Sequence, residues 1–156
     1  MPLLERNNSA LIVIDIQENF LSKLPLADRE PLVERIAWII NVAKALKIPI
    51  LATAEDVSHG VDMLPRLKAL LPEGQTVFNK MVLSLYGQPD IRDALTALNK
   101  KDLVLVGQET DVCVAQSAID LVDAGYRVWV ADDATGSPGP HHDSGLCRMR
   151  DAGVVV

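Results

Sequence analysis

Short, continuous runs of apolar residues recur along the chain, and each ends in a polar residue or a glycine. The four clearest runs are "ALIVID" (10–15), "IPILAT" (48–53), "DLVLVG" (102–107) and "YRVWVADD" (126–133), and "TVFNK" (76–80) is a weaker fifth. Runs that are apolar on both faces are typical of strands in a buried parallel sheet. The pattern therefore predicts five parallel strands, and the closing "GVVV" predicts the start of a sixth.

Helical periodicity fills the segments between these runs. One apolar stripe extends over residues 28–47, and shorter helices are predicted over 89–99, from about 112 to 125, and over 141–151. Residues 55–71 are interpreted as a loop with a short helix. Strand and helix alternate through the whole chain, so the sequence predicts one domain, residues 1–156, with a doubly wound α/β sheet and right-handed crossovers. Trp38, in a helix, and Trp129, in a strand, are both expected in the core.

The composition and charge of the chain argue against several classes of function. Of the 156 residues, 49% are hydrophobic and 23% are charged, and the formal net charge is -6 with no basic cluster. Nucleic acid and anionic membranes are therefore not expected as partners. No apolar run approaches the length of a transmembrane span, and the N-terminus does not resemble a secretory signal. The two cysteines form no disulfide framework, so we expect a reducing cytoplasm.

Three chemically distinctive residues follow predicted strands. Asp15 ends the first strand, Lys80 ends the third, and Cys113 lies in the "GQETDVC" segment after the fourth. Ligands in open α/β sheets bind at the carboxyl ends of strands, so these side chains could converge. A carboxylate, an ammonium and a thiol suit an activated nucleophile, and the first turn of a helix favours a thiolate. Each residue also has a structural interpretation: Asp15 as a helix cap, Lys80 as a solvated surface lysine and Cys113 as a small apolar core residue.

The segments that carry these residues resemble the isochorismatase-like cysteine hydrolases. Asp15 begins a D-x-Q-x-x-F pattern, Lys80 precedes a serine by four positions, and Cys113 lies in a G-x-x-T-x-x-C-V pattern. The resemblance runs from about Leu11 to the end of the chain. It implies a Rossmann-like three-layer α/β/α sandwich, with a mainly parallel sheet of five to six strands, and a catalytic triad of Asp15, Lys80 and Cys113.

The resemblance also implies a geometry for the nucleophile turn. The peptide bond between Gln108 and Glu109 is expected to be cis, and the N–H groups of Glu109 and Cys113 are expected to form an oxyanion hole. In that arrangement Cys113 attacks a carbonyl carbon and Asp15 accepts the thiol proton. The implied reaction is hydrolysis of a C–N amide bond in a small molecule, through a thioester acyl-enzyme and without a cofactor.

Phe20, Leu85 and Tyr86 are the candidate walls of an apolar substrate pocket near the triad. No metal is expected. Asp56 and His59 lie in the region where nicotinamidases of the family hold their metal, but the spacing differs and no second histidine is near. His141 and His142 are interpreted as part of a turn that starts a helix.

Three other interpretations of the function stay open at this point. True isochorismatases of the family cleave a vinyl ether and need no cysteine nucleophile. The fold could also be a catalytically silent binding protein or scaffold. Cys113 could act in a thiol redox sensor with Cys147 as its resolving partner. Family members often assemble as dimers or larger oligomers, so a homo-oligomer is expected.

Overall fold

The protein is described by a computed structural model that covers residues 3–156. Its centre is one five-stranded sheet in which every pairing is parallel, with the strand order β3-β2-β1-β4-β5. The strands are β1 (Ser9–Ile14), β2 (Ile50–Glu55), β3 (Val77–Lys80), β4 (Asp102–Gln108) and β5 (Arg127–Gly136). Because β1 lies between β2 and β4, the chain reverses its winding direction at β1, which makes the carboxyl end of β1 the switch point of the sheet.

Six α-helices flank this sheet. They are α1 (Glu18–Leu21), α2 (Leu26–Ala45), α3 (Pro65–Lys68), α4 (Pro89–Leu98), α5 (Ala115–Asp123) and α6 (His141–Asp151). Short 3-10 turns occupy Arg6–Asn8, Val57–His59 and Leu85–Gly87, and a π-helical turn, Thr110–Val114, leads into α5. Within residues 3–156, none of the helices combines the length and the apolar character that a membrane crossing needs.

The alternation of side chains along the strands divides the core into two layers. In β1, Ile12 and Ile14 face one side, and Leu11 and Val13 face the other. Apolar side chains of α4, α5 and α6 cover the first side, and those of α2 and α3 cover the second. This arrangement is the three-layer α/β/α sandwich that the sequence predicted.

Most predicted elements lie within two or three residues of their predicted ends. The expected sixth strand is reduced to a parallel bridge between Val155 and Trp129. The expectation that both tryptophans lie in the core is wrong for Trp38, which is 58% exposed on α2 beneath the guanidinium of Arg35. Trp129 is only half-buried, because β5 is an edge strand that Val155 alone extends.

Gly107 lies where the backbones of β4 and β1 meet at the carboxyl ends of the two strands. It has a φ of 130°, and a Cβ atom added there would lie 1.9 Å from the carbonyl oxygen of Ile14. Gly107 pairs with Ile14 and immediately precedes Gln108, so it sets where β4 ends beside β1. The absence of a side chain thus allows the ends of the two central strands to lie together.

We expect Gly107→Ala to destabilise the fold by more than about 3 kcal/mol, because the new methyl group meets backbone that cannot move aside. The matched control is Gly74→Ala, where φ is also positive, at 73°, but no atom lies within 4 Å of the added Cβ. That control should lose only about 1–2 kcal/mol from its left-handed conformation. Denaturant titration of both variants checks the difference, and equal losses would contradict this account of Gly107.

Candidate active site

Three strand ends bring Asp15, Lys80 and Cys113 together at the carboxyl edge of the sheet. The Lys80 Nζ lies 2.9 Å from the Asp15 Oδ2 and 3.5 Å from the Cys113 Sγ. Asp15 and Lys80 are fully buried, and Cys113 is 2% exposed. The carboxylate, the ammonium and the thiol therefore form one compact group, which the strand-end positions in the sequence had suggested.

Neighbouring groups hold each member of this set. The Thr53 hydroxyl donates to the Asp15 Oδ1 at 2.7 Å, and Lys80 donates to the carbonyl of Val82 at 2.7 Å. Asp15 has a φ of 49°, a left-handed conformation that few aspartates adopt. The Asp15 Oδ2 lies 2.9 Å from the Lys80 ammonium, so the two oxygens of this carboxylate face different partners, Thr53 and Lys80.

Burial and mutual charge set the protonation of these side chains. Burial raises the pKa of Asp15, and the ammonium of Lys80 only partly opposes that rise. Burial lowers the pKa of Lys80, but the negative charge of Asp15 is the main opposing influence, and the pKa is raised overall. Burial and the carboxylate of Asp15 together raise the pKa of Cys113 to about 12, against the effect of Lys80. The resting group is accordingly an ion pair beside a neutral thiol.

The thiol pKa corrects one expectation from the sequence. The first turn of a helix was expected to favour a thiolate at Cys113. The helix start is present, but the thiol lies below the surface next to a carboxylate, and desolvation disfavours the charged form. In this protein the local burial outweighs the helix terminus.

Glu55, the last residue of β2, is a fourth ionisable member that the sequence interpretation missed. Oxygens of Glu55 and Asp15 and the Cys113 Sγ all lie within 4.8 Å of one another. Gln17 fixes the Glu55 backbone, since its side chain accepts from the Glu55 N–H at 2.6 Å and donates to the Glu55 carbonyl at 2.8 Å. Glu55 lies two residues beyond Thr53, the predicted end of the second strand, so the sequence interpretation placed it in a loop.

Asp15, Glu55 and Cys113 are also the one set of three potential metal ligands in the described part of the chain. The ammonium of Lys80 already lies against two of the three, which suits an anion-compensating role for lysine better than a bound cation. Asp56 and His59 pair with each other at 2.8 Å and belong to no such set.

The nucleophile turn has the backbone arrangement expected of it. The Gln108–Glu109 peptide bond is cis. In the π-helical turn that follows, the N–H groups of Val112 and Val114 both donate to the Glu109 carbonyl, at 3.2 and 3.1 Å. Among residues 3–156, no acceptor is found for the Glu109 N–H. An unpaired N–H beside the thiol is what a developing oxyanion requires.

Helix α6 and the end of β5 hold the turn from outside. The Nδ1 of His142 lies 2.9 Å from the Thr110 hydroxyl, and the Ser137 hydroxyl donates to Asp111 at 2.6 Å. Gly145 packs so closely on the turn that an added Cβ would lie 2.8 Å from the backbone of Asp111. The start of α6 was expected to be only a turn and a cap, but His142 contacts the residues between the two proposed oxyanion donors.

The three candidate pocket residues have different positions. Phe20 is nearly buried beside the turn, beneath Lys23, whose Nζ is 4.7 Å from the ring centre and 2.9 Å from the Glu109 carboxylate. Leu85 is fully buried in the hydrophobic cluster that also contains Cys113.

Tyr86, the third candidate, packs edge-on against Tyr126, with ring centroids 6.2 Å apart, and Arg92 lies over its ring. Tyr126 directly precedes β5. Like Leu85, Tyr86 contacts the hydrophobic cluster that contains Cys113, and its role in a substrate pocket stays a prediction.

The chain matches the isochorismatase domain over residues 9–156. Isochorismatase family protein 2A of Dictyostelium discoideum is 32% identical to it over 155 residues, which are 95% of this chain and 76% of that protein.

The solved structures that resemble this fold include two YcaC proteins and a ribonuclease. The YcaC gene product of Escherichia coli, described as an octameric hydrolase of unknown specificity, is 26% identical, with 99% of this chain and 78% of that chain covered and a TM-score of 0.91. YcaC of Pseudomonas aeruginosa, with hexane-2,5-diol and covalent acrylamide, is 25% identical, with 97% and 76% covered and a TM-score of 0.87. The MAR1 ribonuclease of Caenorhabditis elegans is 29% identical, with 99% and 79% covered and a TM-score of 0.87.

The family match extends over nearly the whole chain and includes all three strand ends that form the buried group. Fold, strand-end chemistry and sequence similarity therefore agree, and the chain belongs to the isochorismatase family of hydrolases.

Proposed function

We propose that this protein is a cysteine-dependent amidohydrolase that cleaves the C–N bond of a small-molecule amide. The observation that carries the proposal is the buried thiol of Cys113, with the Lys80 ammonium 3.5 Å from its sulfur and the Asp15 Oδ2 2.9 Å from the same ammonium. A nucleophile, a base and a cation in contact are what acyl transfer requires.

In the first half of the reaction, the sulfur of Cys113 attacks the amide carbonyl carbon as its proton passes to the Oδ2 of Asp15. The N–H groups of Glu109 and Cys113 receive the negative charge that develops on the carbonyl oxygen. Asp15 then gives the proton to the leaving nitrogen, the C–N bond breaks, and ammonia or an amine departs from a thioester.

In the second half, water attacks the thioester carbonyl and gives a proton to Asp15. The C–S bond breaks, the carboxylic acid leaves, and the proton returns to the sulfur. Each step moves a proton to or from Asp15 inside the buried group of Asp15, Lys80 and Cys113. The net charge of this group therefore changes little, although the group is shielded from solvent. The raised pKa of Asp15 suits this role, because it makes the carboxylate a stronger base.

The Pseudomonas aeruginosa relative supports this chemistry. Its structure contains covalent acrylamide, a molecule that is both an amide and an electrophile towards thiols. A vinyl-ether hydrolase would have no use for a thiol held against a base and a cation. We therefore prefer amide hydrolysis to the isochorismatase reaction.

The Caenorhabditis elegans relative suggests ribonuclease activity as a second candidate, because it is called a ribonuclease and is 29% identical. The net charge of -6 argues against it, since nucleic acid binding depends on cationic contacts with phosphates. Incubation with labelled single-stranded and duplex RNA tests this candidate, and cleavage that Cys113→Ala abolishes would favour it over amide hydrolysis.

We also propose that the chain forms a homo-oligomer. The Escherichia coli relative is octameric, and three consecutive apolar side chains beyond Lys80, those of Met81, Val82 and Leu83, are 40–59% exposed. Contiguous exposed apolar residues often mark an interface. Light scattering after size exclusion measures the mass directly, and a monomer at micromolar concentration would contradict the proposal.

Cys113→Ser should keep the fold and lose nearly all amide turnover, by about 1000-fold or more. A hydroxyl has a far higher pKa than a thiol, and Asp15 is too weak a base to compensate. The measurement is ammonia release from a panel with nicotinamide, pyrazinamide, carbamoyl compounds and short aliphatic amides. Cys147→Ser is the matched control, since Cys147 is exposed on α6 and should be dispensable. If Cys113→Ser kept the wild-type activity, the nucleophile would be another group.

Cys113 should stay a neutral thiol from pH 6 to pH 10. With its pKa raised to about 12, only about 1% of it would be thiolate at pH 10. The difference in ultraviolet thiolate absorbance between Cys147→Ser and the Cys147→Ser/Cys113→Ala double variant measures this. Because the unfolded thiol titrates near 8.5, the stability that Cys113 contributes is complete below that pH and declines as the pH rises towards 12. An absorbance step below pH 9 would mean that the thiol is activated at rest.

A further inference from the structure

The carboxylate of Glu55 is the feature of the site that the proposed triad chemistry does not use. It is half-buried, and one of its oxygens lies within 4.8 Å of the Cys113 Sγ and of an oxygen of Asp15. The backbone that carries this side chain is held in place, because the Gln17 side chain forms hydrogen bonds with both the N–H and the carbonyl of Glu55. A group so close to the sulfur would touch any molecule that the sulfur attacks.

Glu55 also changes the charge of the site. Asp15 and Glu55 carry two negative charges against the single positive charge of Lys80, while the thiol is neutral. The other nearby cation, Lys23, is paired with Glu109 at 2.9 Å, so that pair adds no net charge. The formal charge around the sulfur is therefore -1, in surroundings where burial weakens solvent screening.

From this charge we infer that Glu55 determines substrate specificity, accepting an N–H of a neutral or cationic amide and repelling a carboxylate close to the scissile bond. The inference rests on the proposed amide hydrolysis and names its substrate class. A carboxylate oxygen accepts hydrogen bonds and donates none, so it suits the NH₂ or NH of an amide. The same charge disfavours isochorismate, a dicarboxylate, as a substrate.

Two alkylating reagents of similar size test the inference without knowledge of the substrate. Iodoacetamide is neutral and iodoacetate is an anion, and both react with thiols at one carbon. The protein is Cys147→Ser, so that Cys113 alone reports. We expect the ratio of the iodoacetamide rate to the iodoacetate rate to exceed that of a free small thiol by at least about tenfold at low salt. Raising the salt concentration should reduce the excess.

Glu55→Gln removes the charge and keeps the size and the backbone bonds to Gln17. It should bring the rate ratio to within about threefold of the free thiol, mainly through faster reaction with iodoacetate. The control is Asp56→Asn, which removes the next carboxylate along the chain, one engaged with Ser58 and His59. That variant should keep the ratio of the parent protein. Glu55→Ala repeats the test if the glutamine variant does not fold.

Three results would overturn the inference: a parent ratio equal to that of the free thiol, an excess that survives Glu55→Gln, or no labelling of Cys113 by iodoacetamide. Alkylation needs no amide cleavage, so this result is separate from the amidase screen. If amides are cleaved, propionamide should be preferred to the anionic succinamate, and Glu55→Gln should narrow that preference. If no amide is cleaved but the ratio of the two alkylation rates behaves as expected, the proposal of amide hydrolysis fails. The inference that Glu55 repels anions near Cys113 then stands.

Discussion

The ion pair between Asp15 and Lys80 is the interaction on which the carboxyl edge of the sheet depends. Both side chains are fully buried, with 2.9 Å between nitrogen and oxygen, and they connect the ends of β1 and β3, which are not neighbours in the sheet. Removing one partner of a buried pair leaves an uncompensated charge and costs about 3–5 kcal/mol. Replacing either Asp15 or Lys80 alone is therefore expected to destabilise the fold, independently of the role of Cys113.

The two members of this pair shift the pKa of the Cys113 thiol in opposite directions. Burial and the Asp15 carboxylate raise that pKa, the Lys80 ammonium lowers it, and the resulting pKa is about 12. A neutral thiol reacts with electrophiles more slowly than a thiolate does, so the raised pKa slows the modification of Cys113 at rest. In the reaction that we propose, a carbonyl group would bind beside the sulfur, and the N–H of Glu109, for which no acceptor is found among residues 3–156, would receive its developing oxyanion. The proposal therefore assigns the activation of Cys113 to substrate binding rather than to the resting thiol.

The sequence predicted the sheet and the triad for the same reason. Runs apolar on both faces identify parallel strands, and parallel strands bring their carboxyl ends to one edge, so Asp15, Lys80 and Cys113 had to lie near each other once the strand order placed β1 centrally. Three other features depend on which neighbours enclose a side chain. They are the exposure of Trp38, the packing partner of the Tyr86 ring and the pKa of the Cys113 thiol. Those neighbours come from distant segments, so local sequence patterns do not determine them.

Glu55 and His142 show two different limits of the sequence interpretation. Glu55 ends β2 in the structure, but the predicted strand stopped at Thr53, so the sequence interpretation placed Glu55 in a loop. His142 obeys no local rule, since its contact with Thr110 exists only because α6 packs on the nucleophile turn through Gly145. The residues that a strand presents directly are accessible to sequence reasoning, whereas those that support them from an adjacent helix are not. In this site the strand ends supply the ionisable side chains of Asp15, Glu55 and Lys80. Helix α6 contacts the turn that contains Cys113 through His142 and Gly145.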